Sequence, residues 1–168
     1  MTSPLRLLLA LLAIGSPGLA GCGDSDKDDT PKPSNNLLAE RTAFLTQSTW
    51  IQTGSTSLET MNGVTRHYNL FAMAPPCLTD NTVLFRADKT YVDDEGQTRC
   101  APADPQARAT GVWELKSDGS ELTVTLTGYL PVRWKIVRLT AAEYVLTRTE
   151  QIPASHISRI DTLAYRAL

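Results

Sequence analysis

The chain has 168 residues, 42% of them hydrophobic and 20% charged, which is enough apolar material for one domain-sized core and too much for disorder along most of its length. Sixteen Lys and Arg stand against 18 Asp and Glu, a formal net charge of -2 with no basic block. Phosphate backbones find little attraction in such a chain, and no nucleic-acid partner is expected.

Arg6 and the amino terminus supply positive charge, Leu5 to Ile14 is almost wholly apolar, and Gly15, Ser16, Pro17 and Gly18 interrupt the run ahead of Leu19-Ala20-Gly21-Cys22. This is the layout of a secretory signal over residues 1–21. Its apolar stretch of roughly ten residues is about half of what a permanent helix needs to cross a ~30 Å hydrocarbon layer. Leu19-Ala20-Gly21-Cys22 resembles the lipobox of bacterial lipoproteins, in which the Cys thiol receives diacylglycerol and the bond before it is cut. The resemblance implies that Cys22 becomes a lipid-bearing N-terminus, with the membrane as partner through that anchor and the cell envelope as location. Gly23, rather than Asp, follows the Cys, which by the same resemblance implies the outer membrane. Two or three acyl chains, at about 0.8 kcal/mol per buried methylene, make such an anchor effectively permanent.

Residues 22–36 read as the lipidated Cys and a disordered acidic tether, because Gly23 to Asn36 contains four Asp, two Lys, two Pro and no large apolar residue. Asp24, Asp26, Asp28 and Asp29 invite comparison with a calcium loop. The Gly and Glu that such a loop needs at its sixth and twelfth positions are Asp29 and Asn35 here, so no metal is expected.

Residues 37–168 form the domain. Leu37, Leu38, Arg41, Phe44 and Leu45 follow helical spacing behind Asn36 and predict one short helix. From Ser48 the chain turns into short runs rich in Thr, Val, Tyr and Trp, divided by turn residues. Strands are expected at Ser48–Ser55, Val64–Ala72, Thr82–Ala87, Thr90–Asp93, Thr110–Lys116, Glu121–Thr127, Val132–Leu139, Glu143–Thr149 and Asp161–Arg166. Ala87-Asp88-Lys89-Thr90 reads as a tight turn, Ser117-Asp118-Gly119-Ser120 as a type I′ turn, and Thr140-Ala141-Ala142 as a short link.

The architecture these runs predict is all-β, a small up-and-down antiparallel β-barrel of about eight strands plus one extra. Leu122, Val124 and Leu126 alternate with Thr123, Thr125 and Thr127, so one face of that strand points inward. Around Ile136 the inward register changes, which predicts a bulge or an end of burial. Trp50, Phe85, Trp113, Leu122, Val124, Leu126, Trp134 and Leu146 are the candidate core or ligand-lining residues, since a barrel of this size has room for side chains or one small ligand.

The runs Cys77-Leu78-Thr79-Asp80-Asn81, Ala87-Asp88-Lys89-Thr90-Tyr91, Glu95-Gly96, Cys100 and Gly111-Val112-Trp113 come in a recognisable order. With Trp50 ahead of them they resemble the lipocalin-like domain of small secreted lipoproteins, over roughly residues 45–149. That pattern has Cys-x-x-Asp-Asp before a strand, a hairpin with Gly where Lys89 stands, a second Cys, and Gly-x-Trp. Asn81 replaces one of its acids, and Gly-x-Trp sits mid-chain rather than on the first strand as in true lipocalins. The resemblance implies a small barrel on a lipid anchor and carries no functional residues.

With Cys22 given to lipid, Cys77 and Cys100 remain as a pair in an exported chain and are expected to form a disulfide worth on the order of 3 kcal/mol. Free thiols or a metal pair would need soft ligands that the chain lacks. His67 lies in an alternating run and His156 follows Pro153 in the last loop, and neither sits in a catalytic or zinc motif. Asp93-Asp94-Glu95-Gly96 reads as a solvated hairpin tip. No enzyme activity and no cofactor are expected. The function these features suggest is a membrane-anchored extracytoplasmic binding module for a small hydrophobic ligand or an envelope component. The alternative is a structural or interaction lipoprotein, an accessory subunit or inhibitor, with a solid barrel acting through the loops Ala74–Asn81 and Glu95–Ala109.

Overall fold

The computed structural model describes residues 35–168; the signal at 1–21, the lipidation position Cys22 and the acidic tether up to residue 34 lie outside the described residues. Asn35 and Asn36, read above as the end of the tether, instead belong to helix α1 (Asn35–Thr46). Leu38 and Leu45 of that helix pack into the core, which supplies the burial that stabilises a helix of only 12 residues.

Nine strands follow: β1 (Thr49–Met61), β2 (Val64–Asn69), β3 (Thr82–Phe85), β4 (Thr90–Asp94), β5 (Ala107–Leu115), β6 (Glu121–Leu126), β7 (Val132–Leu139), β8 (Glu143–Ile152) and β9 (Ile157–Ala167). All their pairings are antiparallel. One edge of β1 pairs with β3 through Thr49–Ile51 and the other pairs with β9 along its length, so β1 and β3 to β9 close into an eight-stranded barrel. The extra strand is β2, which takes over the edge of β1 from Thr56 to Met61, beyond the point where β3 ends. The last strand therefore seals the barrel, and β2, β1, β9 and β8 rise together above one end of it.

Several local expectations are corrected. β1 continues six residues past Ser55 because Asn62 and Gly63, at φ 50° and 76°, make a two-residue turn into β2. The strand expected to reach Ala72 stops at Asn69, whose side chain accepts a hydrogen bond from Ala72 N (3.0 Å) and caps the short helix α2 (Leu70–Met73). A second short helix, α3 (Pro76–Thr79), follows, so α1 is not the only helix. The Ser117–Ser120 link is not type I′. Gly119 N donates to Lys116 O (2.7 Å), and of the two central residues of an Asp-Gly turn only Gly119 has a positive φ, which makes a type I turn closed by a left-handed residue. The same device joins β3 to β4, with Lys89 itself at φ 72°.

The bulge expected near Ile136 is present: the register with β8 shifts between Ile136 and Arg138, and Val137 turns outward. A second bulge at Thr53, between Gln52 and Gly54, changes which residues of β1 face inward, so that Trp50 and Gln52 are followed by Ser55, Ser57 and Glu59. Gly111 marks a close approach of β5 to β6. A Cβ there would lie 2.1 Å from Thr125 O, which gives the Gly of Gly111-Val112-Trp113 a steric reason.

One end of the barrel is closed. Helix α1 lies across it, with Arg41 Nη1 donating to Gly119 O in the β5–β6 turn and Gln47 Nε2 donating to Ala141 O in the β7–β8 turn (3.1 Å). Leu45 and Trp50 are buried beneath, and Trp50 Nε1 donates to Leu45 O (2.9 Å), so the indole fills the barrel floor with its one donor satisfied. Phe85, Trp113, Leu115, Leu122, Ile136, Tyr144 and Leu146 complete the buried core.

Candidate ligand-binding site

Above this floor the barrel is not filled. A cavity of about 240 Å³ opens toward the end opposite α1. Of the residues expected to form the core or line a ligand, Phe85, Leu122, Val124, Leu126, Trp134 and Leu146 line this chamber, whereas Trp50 and Trp113 do not. Trp113 is buried in the wall, its Nε1 donating to Arg86 O (3.0 Å) and its ring covered by Lys89 Nζ at 3.9 Å. Trp134 and Val124 are half-buried because the chamber lies beside them.

The sequence reading did not identify the tyrosines. Tyr91, Tyr144 and Tyr165 all line the chamber, with Tyr144 stacked on Tyr165 (centroids 4.4 Å apart, 19° between planes) and set edge-on to Trp50 (4.9 Å). Phe85 meets Tyr91, Trp113 and Tyr144 edge to face. Desolvation, joined by the nearby Asp93 carboxylate, pushes the ionisation of Tyr91, Tyr144 and Tyr165 far above the ordinary tyrosine range, so all three present neutral phenols. The signal that could have found them was present: Tyr144 leads Leu146 by two positions, and Leu163 and Tyr165 alternate in β9.

The rim of the chamber is apolar and exposed. Tyr129 and Leu130, in the β6–β7 turn, line it with 74% and 85% of their surfaces open to solvent. Beside the chamber, sharing Trp134 and Leu163 with it, lies a wider vestibule of about 540 Å³ against the raised part of β1, β2 and β9. Its wall carries a belt of charges. Arg148 Nη2 donates to Asp161 Oδ2 (2.9 Å), Ser57 Oγ donates to Asp161 Oδ1 (2.9 Å), Arg159 pairs with Glu150, and Arg159 Nε lies 3.3 Å from Asp161 Oδ2. The guanidinium of Arg148 also sits 5.0 Å from the Trp134 ring centroid.

On the far side of Tyr165 is a smaller, more polar space of about 190 Å³, where Asp93 Oδ2 meets Arg108 Nη2 at 2.6 Å. The run Asp93-Asp94-Glu95-Gly96 is therefore not a solvated tip. Asp94 accepts from Gly96 N (3.0 Å), Glu95 is buried, and Gly96 packs so tightly on Asp80 that a Cβ would lie 2.2 Å from its carbonyl oxygen.

Cys77 and Cys100 are joined as a disulfide. Asp80 Oδ2 accepts from Gln97 N (3.1 Å) and Thr98 N (2.8 Å) on the loop that Cys100 ends, and Asn81, with its amide nitrogen toward the carbonyls, donates to Cys77 O and Glu95 O. The Cys77–Asn81 motif thus works as a latch for the loop after β4. His67 and His156 are both exposed. Among the described residues no three His, Cys, Asp or Glu side chains converge as metal ligands would.

No known family matches the chain, and no curated protein matches it.

Proposed function

We propose that this chain is a non-enzymatic binding module, held in the cell envelope by lipid on Cys22 and taking a small hydrophobic molecule into the open end of its barrel. The observation that carries the reading is the chamber itself. Its walls are aromatic and aliphatic, its floor is sealed by Trp50 and α1, and its polar groups are few, three neutral phenols within and Arg148 at the lip, which is the usual constitution of a small-molecule site. A cavity of about 150 Å³ with Leu, Ile and Phe walls accepts benzene, so the 240 Å³ here, open at its mouth beside the vestibule, suits a body of two or three rings, or a short chain.

Titration of the purified protein with N-phenyl-1-naphthylamine tests the reading. A saturating rise in probe fluorescence with matching loss of Trp134 emission is expected, and Leu146→Trp, which fills the chamber, should abolish it. A wild-type protein that leaves the probe unchanged would end the proposal. The anchor has its own test: intact-mass analysis of the mature protein should find acyl groups on Cys22, and an unacylated chain starting elsewhere would remove the membrane from the account. The exposed rim of Tyr129 and Leu130 favours one second reading, an interaction lipoprotein that engages an envelope protein through its loops.

A further inference from the structure

We propose that the chamber's ligand is a small amphipathic monoanion, an aromatic or short apolar body bearing one carboxylate-like oxyanion, and that Arg148 selects for its charge. This rests on the binding reading above and names the class of molecule bound.

The inward residues of β8 run Tyr144, Leu146, Arg148 and Glu150 from the floor to the lip, and the first three line the chamber. A body lying against Leu146 and Trp134 therefore ends beside the Arg148 guanidinium, which is already held over the Trp134 ring. That guanidinium is under-used. Nη2 is bound to Asp161, but Glu150 stands 3.7 Å away, beyond hydrogen-bond length, and Nε is buried with no acceptor among the described residues. Arg159 Nε also makes no hydrogen bond. Arg148 Nε–H thus lacks an acceptor, and Arg159 Nε–H has only a poorly aligned one in Asp161 Oδ2 at 3.3 Å, a state that a buried site does not sustain without cost.

The charges indicate what would fill them. Asp161, with only 14% of its side chain exposed and its oxygens engaged by Ser57 and Arg148, is a fixed partner and balances one cation. Glu150 balances the other through Arg159, yet 42% of its side chain is in solvent. An oxyanion arriving on a ligand can take the place of Glu150 at Arg159 Nη2, sit closer to the Arg148 guanidinium than Glu150 does, and leave the belt neutral. Glu150 returns to water at little cost, because half-exposed ion pairs contribute little. A neutral ligand leaves the donors unfilled, and a cation meets Arg148 first.

A matched probe pair separates charge selection from simple burial. 1-Anilinonaphthalene-8-sulfonate and N-phenyl-1-naphthylamine share one body and differ by the sulfonate. Titrated into the purified full chain, the sulfonate probe should bind about tenfold more tightly. Arg148→Met should erase that preference, read as the ratio of the two probes' affinities, because Arg148 also lines the chamber and its loss acts on both. Glu150→Gln should tighten the sulfonate probe several-fold and leave the neutral probe unchanged, because the variant removes a competitor rather than a contact. Glu150 is half-exposed, so this variant keeps the test decisive should Arg148→Met fail to fold. Equal binding of both probes, or weaker sulfonate binding in Glu150→Gln, would overturn the charge selection and leave the chamber reading standing. If neither probe binds, both fall.

Discussion

At the closed end of the barrel, Leu45 of α1 and Trp50 of β1 are almost wholly removed from water, and Arg41 and Gln47 spend their donors on fastening the helix to two turns. At the open end, Tyr129 and Leu130 stand in solvent, and the charged groups ring a space instead of closing it. The same eight strands run between both ends, with β2 and the raised parts of β1, β8 and β9 at the mouth. What differs is whether an element lies across them, and the comparison teaches that stability is concentrated at the floor while the mouth is free to be shaped for a ligand.

The largest test of that division is Trp50→Ala. It removes the floor, the edge contact with Tyr144 and the bond to Leu45 O, and should cost about 3–5 kcal/mol in denaturant unfolding. A loss below 1 kcal/mol would mean that the floor is not where the barrel is held. Replacing Cys77 and Cys100 together by Ser should cost about 3 kcal/mol, given a closure of 23 residues, while probe binding in the chamber stays as it was. Altered binding would place the latch in the site.

Alkali should act on the interior. Tyr91, Tyr144 and Tyr165 hold their protons above the ordinary value of 10.0, so the unfolded chain sheds protons there that the folded chain keeps. Their contribution is complete below pH 10 and is lost as pH rises beyond it, by about 1.4 kcal/mol per pH unit for each tyrosine. Absorbance at the phenolate band should show three of the five tyrosines ionising only as the fold is lost. Smallest in stability is Leu130→Asn at the mouth, which should shift unfolding by less than about 0.5 kcal/mol. It should nonetheless weaken probe binding, and a change in stability alone would make Leu130 structural.

Much of the barrel was legible because burial on one face imposes period two. Leu122, Val124 and Leu126 announce β6, and the change of register at Ile136 announces its bulge. Asn62-Gly63 was equally plain in the sequence, yet the polar run Thr53 to Thr60 hides the continuation of β1, since its inward members Ser55, Ser57 and Glu59 face a vestibule and not a core. Lys89 shows why a hairpin pattern favours Gly there: the backbone is left-handed, and the side chain is kept by its contact with Trp113. The site was less legible. Six of the chamber's fourteen lining residues were anticipated as core, but a sequence does not distinguish a filled interior from a hollow one. The pairing of Arg148 with Asp161 across β8 and β9 has no signature in chain order.

The seam between β1 and β9 has a kinetic consequence. Trp50 pairs with Ala167 and Glu59 with Arg159, so nearly the whole domain separates the partners that shut the cylinder. Hairpins between neighbouring strands can form early, but this closure must bear the entropy of the longest loop before it gains anything, which places the molecule among slow folders. Until the final strand docks, β1 and β8 present raw edges to other chains, and that interval, rather than the finished barrel, is when the protein is most open to aggregation.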